Sequence, residues 1–178
     1  EHGVSEALYM QDAEGNGIEL YADLPRPQWP YKNGELEMVT EQLDINDLLS
    51  ELNSPPPPQS ENGLTIGHIH LQVTNLHSAD EFYHRTLRFD PTQRSYPGAL
   101  FVAAGGYHHH IGLNVWNSRG GSPSEEGTVG LVKFGIRLGS NEAVQSLATR
   151  LRKTPYWSKE SEQGIIICDA DNIQIEIL

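Results

Sequence analysis

The hydrophobic pattern of the second half of the chain predicts one order of elements. Residues 66–73 alternate between apolar and polar positions, as a half-buried strand does. Helical spacing follows, with Ala79, Phe82, Tyr83 and Leu87 on one face, and Ser78 to Glu81 matches a capping box at its start. Three more strands are predicted, over 89–96, 99–104 and 108–116.

The same order returns after a polar loop. A strand is predicted over 129–138 and a helix over 140–153, with Val144, Leu147, Ala148 and Leu151 buried, and short strands run to residue 177. Two such units, 64–116 and 129–178, predict an α+β domain of paired βαβββ modules. A repeat of this kind indicates that the two units share one concave surface.

A shorter repeat links the two ends of the chain. Residues 12–19 recur as residues 169–176, and in each copy an apolar run enters a turn of Asp, Gly and Asn. Each return strand carries one acid, Glu19 or Glu176. Because side chains alternate along a strand, Glu19 shares a face with Tyr21 and can point into a cleft. The alternative is a solvated glutamate on an outer face.

The segments before the paired modules predict a partial module and a connector. Residues 1–23 form a hairpin that is marginal alone, so we expect them to belong to a larger sheet of a truncated domain. Residues 24–63 are rich in proline and predict a linker with a short helix, capped by Asn46 or Asp47 and with Leu48, Leu49 and Leu52 on one face. Trp29 and Tyr31 are candidates to clamp this linker to a surface.

Composition narrows the classes of partner. The formal net charge is -12, which argues against nucleic acid and anionic membrane surfaces, since both reward clustered Lys and Arg. No apolar run approaches the length of a membrane span. The single Cys168 excludes an internal disulfide framework and predicts a buried free thiol. These features favour a cytoplasmic protein.

Several motifs resemble the vicinal oxygen chelate superfamily, which includes glyoxalase I, extradiol dioxygenases, fosfomycin resistance proteins and bleomycin-binding proteins. The sequence Gly-His-Ile-His-Leu at 67–71, followed by Phe82-Tyr83 and Leu87-Arg88-Phe89, resembles the opening of one of its modules. Residues 1–23 resemble the end of a catechol 2,3-dioxygenase-like catalytic domain, and residues 103–114 the C-terminal domain of two-domain proteins of that type.

The resemblance implies roles for three residues of the hairpin. Glu19 corresponds to the carboxylate ligand of Fe(II) in a set of two histidines and one carboxylate. His2 corresponds to a histidine that shuttles a proton, and Tyr9 to a tyrosine that orients substrate. The alternative is that His2 and Tyr9 only cap and pack the hairpin.

The resemblance also implies a second candidate metal site in the paired modules, formed by His68, His108, His110 and Glu176, for Fe(II), Mn(II), Ni(II) or Zn(II). Strand alternation predicts His108 and His110 on one face and His109 on the other, with His70 as a cleft-lining partner. Two departures stand out. Lys133 replaces a ligand and could pair with Glu176, and Arg88 replaces a turn glycine, so that turn is expected to differ.

The sequence therefore predicts a piece of a metal-dependent ring-cleavage dioxygenase, with an aromatic diol as substrate and Fe(II) as the favoured metal. This piece alone is expected to be inactive. Two alternatives are a glyoxalase I-type lyase or isomerase and a non-catalytic module of the bleomycin-binding kind. A further interpretation makes the C-terminal domain a dimerisation surface, and thus the protein a homo-oligomer.

Overall fold

The computed structural model describes residues 1–51, 63–125 and 127–178. Predicted features at Leu52 and at prolines 55–58 lie outside these residues. The strands are β1 Ser5–Gln11, β2 Gly17–Asp23, β3 Tyr31–Lys32, β4 Glu35–Leu36, β5 Ile69–Gln72, β6 Asp90–Gln93, β7 Ala99–Ala103, β8 Ile111–Asn114, β9 Lys133–Ile136, β10 Trp157–Glu160, β11 Ile165–Cys168 and β12 Gln174–Ile177. The helices are α1 Ile45–Glu51, α2 Leu76–Ala79 and α3 Asn141–Leu151, and α2 continues as a π-helix over Asp80–Thr86.

The two predicted modules are present as two four-stranded mixed sheets. One has the order β5-β8-β7-β6 and the other the order β9-β12-β11-β10, so each first strand lies beside its module's fourth strand. In both sheets the first and fourth strands are parallel and the other pairs are antiparallel. The α+β fold and its internal repeat are thus confirmed.

One hydrophobic core lies between the sheets and their helices. Phe82 and Tyr83 are fully buried, and the predicted face of α3, with Val144, Leu147, Ala148 and Leu151, packs into the same core. Tyr83 also joins the modules, because its hydroxyl donates to Asp169 Oδ2 at 2.8 Å across the buried interface. The turn of the second hairpin is therefore part of the packing between modules.

Two helix starts differ from the prediction and one agrees. The Asn75 side chain caps α2 by accepting from the backbone N–H groups of His77 and Ser78, so the helix begins before the predicted capping box. Asp44, rather than Asn46 or Asp47, accepts the first N–H groups of α1. In both cases the residue that caps the helix lies two or three positions before the predicted cap and also has a side-chain oxygen that can accept. The third helix, α3, begins where it was predicted, and Ser140 caps it by accepting from the N–H of Ala143.

The turn after the π-helix keeps the shape that glycine would give it. Arg88 adopts φ 74, in the left-handed region, and the N–H of Phe89 donates to Tyr83 O at 3.1 Å. The expectation that Arg88 makes this turn differently is therefore wrong. The chain accepts a strained arginine instead.

The hairpin β1–β2 and the following connector pack against the open face of the first sheet. A second buried cluster joins Val4 of the hairpin region, Trp29 and Met38 of the connector, and Phe101 of β7. Trp29 is buried and Tyr31 is exposed, so only Trp29 clamps the connector. This packing brings the side chains of β2 onto the first strand of the first module.

No helix within the described residues is long and apolar enough to cross a membrane. Cys168 is a free cysteine with intermediate burial, and burial raises the pKa of its thiol.

Candidate metal centre on the first sheet

The two repeated hairpins share one turn geometry. Asp12 Oδ1 accepts the N–H groups of Glu14 and Asn16, and Asp169 Oδ1 accepts those of Asp171 and Ile173. Each aspartate thus holds the residues two and four positions later, as an Asx turn does. The turn places Glu19 and Glu176 at matching positions of the two return strands.

Three predicted residues of the first hairpin meet at one point. Tyr9 lies directly opposite Glu19 in the β1–β2 pair and donates its hydroxyl hydrogen to Glu19 Oε1 at 2.7 Å. His2 Nε2 lies 2.6 Å from the same hydroxyl, and His2 Nδ1 lies 2.7 Å from the carbonyl oxygen of Val39. All these contacts are satisfied together when His2 carries a proton on each ring nitrogen.

The same carboxylate reaches the first module. His68 Nε2 lies 2.6 Å from Glu19 Oε2, and the side chains of both residues are almost covered, at 5% and 12% exposure. Burial alone would raise the pKa of Glu19, but the hydrogen bonds from His68 and Tyr9 outweigh it and lower that pKa to about 2. Glu19 is therefore an anion at neutral pH.

A group of three imidazoles lies directly behind Glu19. His68 and His70 come from the start of the first module and His109 from the segment before β8, and one nitrogen of each ring lies within 4.8 Å of the others. Counted as whole residues, His109 is buried, His68 is intermediate and His70 is exposed. Burial and the neighbouring imidazoles lower the pKa of His109, so its ring is neutral at pH 7. These three residues could hold a metal ion.

The histidine tract does not follow the alternation expected of it. Residues 108–110 precede β8, which begins at Ile111, so they are not in a strand. Both ring nitrogens of His108 are occupied, with Nε2 2.8 Å from Asp23 Oδ1 and Nδ1 2.8 Å from His109 Nδ1. His110 Nδ1 accepts the N–H of Ala104 at 3.2 Å. His109, predicted on the opposite face, is the member of the tract that joins His68.

Glu176 lies apart from this group. Lys133 Nζ donates to Glu176 Oε2 at 2.6 Å, which is the pairing that the sequence suggested as the alternative to metal binding. That hydrogen bond lowers the pKa of Glu176. Of the five predicted metal ligands, the structure brings together Glu19 and His68, while His108, His110 and Glu176 each have other partners.

One residue of the surroundings, Asp23, was missed, whereas Tyr21 was expected on the face of Glu19. Asp23 and Tyr21 follow Glu19 at steps of two along β2, so strand alternation could have placed all three on one face. Tyr21 stacks on His68 with ring centroids 4.5 Å apart, and its hydroxyl lies 2.8 Å from that of Tyr107. A Cβ atom at Gly67 would lie 1.6 Å from the hydroxyl oxygen of Tyr21, so the absence of a side chain at Gly67 makes room for Tyr21.

Two cavities adjoin the group. One of about 650 Å³ is lined by Tyr9, Glu19, Tyr21, His68 and His70, with Ile66 and Leu131 among its apolar walls. A second, of about 80 Å³, is lined by residues that include His2, Glu19, His70 and His109. The first has the volume of a small-molecule site, and both expose His70.

Comparison with known proteins identifies one curated relative. The chain is 42% identical over 172 residues to a catechol-2,3-dioxygenase of Bacillus subtilis, and the match covers 95% of this chain and 60% of that protein. The chain thus spans about three fifths of the relative's length. No protein-family model matches the chain.

Solved structures also resemble it at low identity. A glyoxalase/bleomycin resistance protein/dioxygenase of Alicyclobacillus acidocaldarius is 16% identical with a TM-score of 0.47, over 62% of this chain and 86% of that one. A fosfomycin resistance protein of Listeria monocytogenes is 18% identical with a TM-score of 0.48, over 66% and 91%. The glyoxalase I of Leishmania major is 20% identical with a TM-score of 0.48, over 65% and 86%.

Proposed function

We propose that this chain, which belongs to the vicinal oxygen chelate superfamily, is part of a metal-dependent dioxygenase that cleaves catechol-like aromatic diols beside the hydroxylated carbons. The proposed metal is Fe(II) and the proposed location is the cytoplasm. The observation that carries the proposal is the meeting of His2, Tyr9 and Glu19 with a group of imidazoles in one cleft.

The donor set fits a divalent metal ion. Imidazole nitrogens suit iron, zinc, nickel and copper, and an anionic carboxylate beside them offsets the charge of the ion. His68 Nδ1 is buried and has no hydrogen-bond partner among the described residues, as expected of an atom whose partner is a ligand. When bound, Fe(II) would supply the sites at which a catecholate and O2 meet and exchange electrons.

The chain's own residues supply binding and proton transfer. The 650 Å³ cavity offers an aromatic ring apolar walls at Ile66 and Leu131, while Tyr9 and Glu19 stand on the polar side. The Tyr9 hydroxyl is hydrogen-bonded to Glu19, and desolvation together with that bond raises the pKa of Tyr9, so the group stays a phenol that can hydrogen-bond a substrate oxygen. His2, linked to Tyr9 at 2.6 Å, can pass a proton along the same path.

The test uses the full-length protein that contains this chain, because the relative is longer than the match. The protein is loaded anaerobically with Fe(II) and mixed with catechol and air, and the yellow ring-cleavage product is followed by absorbance. We expect turnover that falls at least about 100-fold in Glu19→Gln and His2→Ala, since each removes a group from the reacting cleft. Glu14→Gln, on the exposed turn of the same hairpin, is the matched control and should keep full activity.

Three outcomes would contradict the proposal. One is turnover of a hemithioacetal with Ni(II) or Zn(II) in place of catechol cleavage, which would indicate a glyoxalase-type enzyme. Another is tight binding of an aromatic ligand by the metal-free protein without turnover. A third is full ring-cleavage activity in Glu19→Gln.

A further inference from the structure

We propose that His68, His70 and His109 are the complete protein ligand set of a divalent metal ion, with Glu19 as an outer carboxylate on His68 and Asp23 acting on His109 through His108. This differs from the two-histidine, one-carboxylate set that the family resemblance implies. The proposal depends on the contacts of this chain and holds whichever reaction the metal serves.

The first line of evidence is a chain of hydrogen bonds that ends at His109. Asp23 Oδ1 can only accept, so His108 Nε2, at 2.8 Å, donates to it. A neutral imidazole carries one hydrogen, and His108 Nδ1 is therefore the acceptor for His109 Nδ1, also at 2.8 Å. His109 has then used its hydrogen, and its Nε2 presents a lone pair. That atom lies 3.2 Å from His70 Nε2.

The second line of evidence is the state of His68. When the ring carries one hydrogen, its Nε2 donates that hydrogen to Glu19 Oε2 at 2.6 Å, and Nδ1 then has a lone pair. The side chain is only 5% exposed, and Nδ1 has no hydrogen-bond partner in the part of the chain that the structure describes. A buried nitrogen in this state costs free energy unless something binds it. A metal ion would satisfy it.

The third ligand ring is positioned by a glycine. His70 lies directly opposite Gly112 in the parallel β5–β8 pair, and an added Cβ at Gly112 would lie 2.8 Å from His70 Cε1 and Nδ1. The imidazole therefore lies across the neighbouring strand in space that only glycine leaves open. This orientation directs Nε2 of His70 toward His109.

The spacing is close to what an ion requires. Three nitrogens at about 2.1 Å from one tetrahedral ion are about 3.4 Å apart. The Nε2 atoms of His70 and His109 are close to that separation, at 3.2 Å, and one ring nitrogen of His68 lies within 4.8 Å of a nitrogen of each. Small ring rotations therefore close the site. Glu19 contacts the ligand His68 directly, and Asp23 reaches the ligand His109 through His108; outer carboxylates of this kind are typical of protein metal sites.

The test is titration of the 178-residue chain with Zn(II) alone, followed by calorimetry, with Co(II) absorption as a second readout. We expect one ion per chain. His70→Ala and His109→Ala should weaken binding by more than about 100-fold, whereas Glu19→Gln and Asp23→Asn should weaken it by about 10- to 100-fold, the range for outer partners. His77→Ala, an exposed histidine on α2, is the matched control and should bind as the parent chain does.

Two results of this titration would overturn the proposal. If Glu19→Gln loses as much affinity as His109→Ala, the carboxylate is itself a ligand. If Asp23→Asn binds like the parent chain, the hydrogen-bond chain does not set the state of His109. Circular dichroism of every variant separates these results from unfolding, and His109→Gln provides a milder variant. Because Zn(II) binding is measured without catechol, failure of ring cleavage leaves this result intact, and the reverse also holds.

Discussion

The substitution Gly112→Ala should separate metal binding from fold stability. Gly112 has no positive φ, so alanine fits its backbone, and removing glycine from a strand interior favours the fold by about 0.5–1 kcal/mol. The new Cβ would lie 2.8 Å from two atoms of the His70 ring, against the 3.4 Å at which ordinary contact begins. The ring must therefore retreat by about 0.6 Å, more than the roughly 0.5 Å that a metal or catalytic site tolerates.

We expect Zn(II) affinity to fall by about 10-fold or more, while the free energy of unfolding stays within about 1 kcal/mol of the parent value. Calorimetric titration gives the first quantity and urea denaturation of the metal-free chain gives the second. Gly135→Ala is the matched control, because a Cβ there meets no atom closer than 3.7 Å, and it should leave affinity unchanged. Normal affinity in Gly112→Ala would refute the placement of His70 argued above.

Three further predictions test the fold and the electrostatics. Arg88→Gly should raise the free energy of unfolding by up to about 1 kcal/mol in urea denaturation, because glycine adopts the left-handed conformation at φ 74 without the strain that arginine has there. An unchanged free energy of unfolding would show that the turn is unstrained. The pKa of Glu19 in the folded chain is about 2, against an ordinary 4.5, so its contribution to stability is complete above pH 4.5 and is lost as pH falls toward 2. Glu19→Gln should therefore reduce the change in the free energy of unfolding across that pH window by an amount of the order of 3 kcal/mol. The control Glu14→Gln should keep the pH dependence of the parent chain. Tyr83→Phe should lower the free energy of unfolding by about 1–3 kcal/mol in urea denaturation, because the buried Asp169 loses its phenolic donor. A decrease of less than roughly 0.5 kcal/mol, which is about the experimental error, would contradict that bridge between the modules.

The elements of the two modules were predictable because their periodicity is local. The buried face of α3 follows from helical spacing alone, and Ser140 as its cap follows from one side chain. The strand boundaries were predicted less accurately. Residues 108–110 lie beside apolar residues in the sequence, yet they are outside the sheet, and the ring of His108 contacts Asp23 and His109. The contact between His108 and Asp23 joins residues that are 85 positions apart, and alternation along one strand cannot represent such a contact.

The comparison of Glu19 with Glu176 explains why the repeated hairpin did not give a repeated site. Both acids occupy the same position after the same aspartate turn, so the sequence correctly predicts their local structure. Their chemistry is decided by the side chain that each one contacts. Glu19 meets His68, which leaves a lone pair for a ligand, whereas Glu176 meets Lys133, whose ammonium group has none and neutralises the acid directly. In this chain, then, the side chain that contacts the duplicated carboxylate determines whether it serves a metal site or an ion pair.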